Sequence, residues 1–81
     1  MPALPNYVAV RIVRLRSDVD HTPISSSFDK PPQPAIGDVA TIVDRTADGT
    51  RYVVEKVRCD GRTEWVATFA EEELELLSDA V

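Results

Sequence analysis

An 81-residue chain has room for one domain whose small core buries about 60–65% of the surface exposed by the unfolded form, which argues against a deep substrate cavity. With 43% hydrophobic and 28% charged residues the composition is that of a globular protein and excludes disorder, and no apolar run approaches the ~18 residues of a membrane helix. The net charge of −5 argues against a nucleic-acid partner, because phosphate contacts need a basic stripe to release counterions.

Residues 1–6 form an N-terminal arm lacking the positive n-region and apolar h-region of a secretory signal, so the expected location is cytoplasmic. From Tyr7 to Leu15, Val8, Val10 and Ile12 recur at a spacing of two, with Val13 and Leu15 on the opposite parity. That predicts a first strand that bends or bulges. Residues 16–36 hold His21, Pro23, three serines and the run Lys30-Pro31-Pro32-Gln33-Pro34. Prolines exclude a helix or a central strand, so this is expected to be a long loop, the most mobile part of the chain and replaceable by a short linker.

Gly37-Asp38 opens Val39–Val43, apolar on both parities as expected of a central strand. Asp48-Gly49 and Asp60-Gly61 are hairpin signals, separating a third strand over 51–58 from a fourth over 63–69. In the fourth, Thr63, Trp65, Ala67 and Phe69 share a face, which favours Trp65 in the core and leaves an exposed binding anchor as the alternative. Residues 70–73 suit one helical turn, and Glu75-Leu76-Leu77 a short closing strand. The expectation is an all-β domain over 1–81, a five-stranded small closed barrel with a long loop after the first strand and one helical turn before the last.

Gly37-Asp38-Val39-Ala40-Thr41-Ile42-Val43, Tyr52-Val53-Val54-Glu55 and Phe69-Ala70-Glu71-Glu72-Glu73-Leu74 resemble a bacterial family of SH3-like barrels of unknown function, with Gly-Asp-Val-Gly-Thr-Ile-Val and Tyr-x-Val-Glu-Phe motifs. More distantly, the chain is similar to subunit IV of the photosystem I reaction centre and to the nitrile hydratase β-subunit barrel. The resemblance covers 7–15 and 37–77, leaves out the long loop, and has Ala40 where the family has Gly. It implies an SH3-like barrel used for binding or assembly, and it specifies no chemistry.

Chemistry-bearing residues are few. His21, the single histidine, has Ser25, Ser26, Ser27, Asp18, Asp20 and Asp29 nearby in sequence. A flexible loop does not hold a catalytic constellation, so His21 reads as a solvated loop residue. Glu71-Glu72-Glu73 lacks cation-loop spacing and reads as a solvated or self-paired face, with Arg14 and Arg16 set to face Glu73 or Glu75 across the first and last strands. Cys59 is a lone cysteine in a turn, and Pro31-x-x-Pro34 reads as a loop stiffener. No catalytic, cofactor or metal residue is assigned.

The chain therefore reads as a non-catalytic protein-binding or assembly module, a small subunit or an acidic inhibitor or immunity-type protein. Ile24 and Phe28 would be its apolar anchors, with Asp18, Asp20 and Asp29 steering a basic partner. The alternative is a nucleic-acid-binding barrel, for which Arg11, Arg14, Arg16, Arg51, Arg58 and Arg62 would have to cluster. An accessory subunit of nitrile-hydratase-like type is the third reading.

Overall fold

Alternating apolar residues become strands wherever Asp-Gly and Gly-Asp steps bound them. The computed structural model describes residues 7–78, and the arm expected over 1–6 lies outside them. Five strands follow in order: β1 Ala9–Ile12, β2 Val39–Arg45, β3 Tyr52–Val57, β4 Thr63–Phe69 and β5 Leu74–Ser78, with a single 3₁₀ turn over Glu71–Glu73 before β5. All pairings are antiparallel, in one sheet of order β4-β3-β2-β1-β5. The class is as expected: all-β, with first and last strands as neighbours, the long loop after β1 and one short helical turn before β5. Among the described residues no helix is long and apolar enough to cross a membrane.

Both hairpins turn where Asp-Gly predicts. Gly49 (φ +74°) and Gly61 (φ +88°) sit in the left-handed region that disfavours a Cβ. At the β2–β3 turn the Asp48 carboxylate accepts from the Thr46 hydroxyl (2.7 Å), the Thr50 N–H (3.0 Å) and the Thr50 hydroxyl (2.8 Å). These bonds favour its charged form and hold its pKa down at about 2.

The inner face is built from one parity of every strand. Val10, Ile12, Ile42, Val54, Trp65, Ala67 and Phe69 are wholly buried, and Trp65 and Phe69 pack with ring centroids 5.7 Å apart. The β4 parity is therefore as expected, and Trp65 is core. β2 is central in the sheet, yet only Ala40 and Ile42 face inward, while Val39 is exposed. The parity switch after Ile12 marks the end of β1 rather than a bend within it. Val13 leaves the strand, donating its N–H to the Glu73 carbonyl at 2.9 Å, and the β1 irregularity falls earlier, between Ala9 and Val10 on the β5 side.

β4 and β5 stand at opposite ends of the strand order and are not paired with each other. The edge of β4 is covered instead by the segment expected to be a free loop. Thr68 donates its hydroxyl to the Asp20 carbonyl (3.4 Å), Val66 accepts the Ile24 N–H (2.6 Å) and donates its own N–H to the Ser25 carbonyl (2.9 Å), and the Ser27 N–H reaches the Thr63 carbonyl (2.9 Å). Residues 20–27 thus run antiparallel along β4 as an edge ribbon. An exposed edge needs partners for its N–H and C=O groups, and the ribbon supplies them. Val19, just before the ribbon, and Pro34, later in the same connection, are buried as well.

Candidate functional site

Two places concentrate polar side chains. The first is a buried node around Glu73, the only charged residue that is wholly buried among those described. The 3₁₀ turn begins at Ala70, whose side chain has no oxygen to cap it, so Glu73 reaches back and its Oε1 accepts the Ala70 N–H at 2.7 Å. Its Oε2 accepts the Arg16 N–H at 2.7 Å and lies 2.6 Å from His21 Nε2. The His21 ring lies 5.0 Å from that of Phe69, and its side chain is only 14% exposed.

The expectation of a solvated His21 is therefore overturned, and that of a solvated or ion-paired Glu71–Glu73 face fails at Glu73 and holds at Glu72, which is exposed and pairs with Arg16. Burying a carboxylate is tolerated because both its oxygens are hydrogen-bonded. The node joins the start of the long loop, the 3₁₀ turn and the core aromatic. Its role is to latch the loop down. The serines near His21 in sequence are engaged elsewhere: Ser26 Oγ donates to the Glu64 carbonyl at 2.7 Å, and Ser27 Oγ accepts the Thr63 N–H at 3.1 Å.

The second place is the outer end of the edge ribbon. Ile24 is 65% exposed although its backbone is bonded to β4. Phe28 is half-buried where the ribbon meets the β3–β4 turn, and two guanidiniums lie over its ring, Arg58 at 5.2 Å and Arg62 at 5.0 Å from the centroid. Arg58 N–H donates to the Arg62 carbonyl (2.8 Å), so the two face each other across the neck of the turn. Asp60 takes the Arg62 N–H (3.0 Å) and Nε (3.0 Å), and these bonds hold its carboxyl below the usual range. Cys59, between them, is exposed.

Of the proposed partner-binding residues, the structure brings Phe28 to this face and leaves Ile24 displayed on the same ribbon. The three aspartates are not brought together as a steering patch. Asp18 binds the Arg16 guanidinium (Nε at 2.9 Å), which lowers its pKa, and Asp20 is likewise held low by Thr22, first by its side chain and then by its N–H at 2.9 Å. Asp29 is exposed and makes no hydrogen bond or ion pair with another described residue. What sequence reasoning missed beside Phe28 are its cations, which come from a turn about 30 positions further on.

The arginines do not form one stripe. Arg11 pairs with Glu75 at 3.2 Å, and Arg16 with Asp18 and Glu72. Arg51 and Arg58 lie at opposite ends of β3, about 20 Å apart at the rise of an extended strand. Half-buried Lys56 bridges Asp38 and Glu64, each at 3.2 Å. Burial disfavours its charge, but the Glu64 and Asp38 carboxylates outweigh that and raise its pKa. Among the described residues no group of three or more metal-ligating side chains converges. Comparison with protein-family models, curated proteins and solved structures finds no match for this chain.

Proposed function

We propose that this chain is a non-catalytic protein-binding or assembly module whose contact face is the edge ribbon on β4 together with the β3–β4 turn. The observation that carries the reading is Ile24: a large apolar side chain, 65% exposed, on backbone pinned by its own N–H to the Val66 carbonyl and by the next residue's carbonyl, which accepts the Val66 N–H. A loose loop would let such a side chain fold against the surface. A tethered ribbon holds it out in water, and ordered apolar side chains beside a buried-edge aromatic are what partner proteins cover. Phe28, four residues along, extends the face to the turn.

The bacterial cytoplasm is the proposed setting, from the family resemblance in β2, β3 and the block before β5. That resemblance rests on turn and core residues, consistent with an assembly role and silent on chemistry. The arginines are dispersed and Arg11, Arg16 and Arg62 are paired with acids, which speaks against generic nucleic-acid binding.

The test is affinity purification of the tagged chain from its native extract beside an Ile24→Ser, Phe28→Ala double variant. A stoichiometric protein partner retained by wild type and lost from the folded variant is the expected result. Equal recovery of every co-purifying protein would overturn the assignment of this face.

A further inference from the structure

The chemistry of the partner is readable at the turn that meets Phe28. Like charges directly opposed across a hairpin neck repel unless something anionic lies between or over them, and Arg58 and Arg62 are so opposed. Asp60 bonds to Arg62, at its N–H, Nε and a terminal nitrogen, 3.0 Å each, and reaches Arg58 only through space, without a hydrogen bond or ion pair. Arg58 is exposed and makes no ion pair with any described residue, in a chain that carries 14 acidic residues. Each of the other arginines of the sheet and its flanks, apart from Arg14, has a carboxylate, a carbonyl or both.

The Arg58 guanidinium is nevertheless not free to wander. It lies 5.2 Å from the Phe28 centroid, and Phe28 is positioned by the ribbon, its N–H donating to Ser26 Oγ at 3.0 Å. Stacking on an aromatic face orients a guanidinium while leaving its in-plane N–H donors directed to solvent. A planar fork of donors, pre-oriented and without an acceptor, matches a carboxylate in bidentate geometry.

We infer that Arg58, backed by Phe28 and flanked by Arg62, is a receptor for a carboxylate on the partner, so that the face binds an acidic protein surface rather than the basic one suggested by Asp18, Asp20 and Asp29. This rests on the ribbon being the contact face and goes further by naming what covers it. The turn supplies the charge and Ile24 the apolar contact, so the matching partner segment alternates acidic and aliphatic side chains.

The test is a ¹H–¹⁵N titration following the backbone amides and the arginine Nε–H signals. Four probes are compared: a blocked hexapeptide alternating glutamate and leucine, its lysine–leucine counterpart, inorganic phosphate, and a single-stranded thymidine oligonucleotide. Expected are saturable shifts at residues 28 and 58–62 and at Arg58 Nε–H with the acidic peptide, absent with the basic one. Arg58→Gln, a surface change, should weaken binding by about tenfold, the loss that goes with one charge-assisted hydrogen bond. Arg11→Gln, away from the turn and already paired with Glu75, should not change it. Equal response to both peptides, equal loss in both arginine variants, no shift at the turn, or tighter binding of phosphate or oligonucleotide than of peptide would each overturn the inference. If the acidic peptide fails while the co-purifying protein is still lost with Ile24→Ser, Phe28→Ala, the contact face stands and its acidic specificity falls.

Discussion

Glu73 shows how much one side chain decides. A carboxylate has two equivalent acceptor oxygens, and both are used: one by the Ala70 N–H, the other by the Arg16 N–H and His21 Nε2. An isosteric amide has one acceptor and one donor, so in either orientation its NH₂ meets a backbone N–H head-on. Glu73→Gln is therefore expected to destabilise the fold by about 1–3 kcal/mol, the cost of a buried donor left unsatisfied. That is a large part of the roughly 4–12 kcal/mol expected of a domain this size. Urea unfolding monitored by Trp65 fluorescence measures it, and a variant with the midpoint of wild type would mean that the node is looser than its geometry. The same residue was legible in principle. A glutamate three positions beyond Ala70, at the entry of a short turn, is half of a capping box, and only the missing Ser or Thr at Ala70 hid the motif.

Among the elements, the ribbon of residues 20–27 changes most between expectation and structure. Proline and serine content correctly excluded a helix and a central strand, but composition does not register a segment whose order comes from another strand's edge. Its bonds to Val66 and Thr63 and the His21–Glu73 contact span 36 to 52 positions in sequence. Replacing residues 17–36 by a short Gly-Ser linker, first expected to be harmless, should now lower the thermal midpoint by more than about 8 °C, since each kcal/mol lost shifts a domain this small by about 4–8 °C. A shortened chain melting within a few degrees of wild type by differential scanning calorimetry would show that the ribbon merely lies on β4 without stabilising it. The hairpins behaved otherwise. Asp48-Gly49 and Asp60-Gly61 turn where expected because a positive φ is a demand made and met within four residues.

For the whole molecule, the sheet curls around Trp65 and Phe69, with Val10, Ile12, Ile42 and Val54 closing over them. Phe69 is doubly engaged, packed on Trp65 and beneath the His21 ring, so Phe69→Ala should cost about 3–5 kcal/mol. Chemical denaturation reads that loss directly, and wild-type stability would mean that the inner parity of β4 is Val66 and Thr68 instead. By itself the sequence determined the class, the strand order along the chain, both tight turns and the inner face of β4. Those features depend on alternation and on turn residues, which act over distances of a few residues. Tertiary structure alone decided that β4 gains a ribbon instead of meeting β5, that Glu73 and His21 are buried together, and that Phe28 lies under Arg58 and Arg62. Each of these joins residues 30 or more positions apart, and burial of a charge or coverage of an edge becomes favourable only once the partner has been delivered by the fold. Local pattern sets which face of a strand is apolar, and the long-range packing sets what that face and its edges meet.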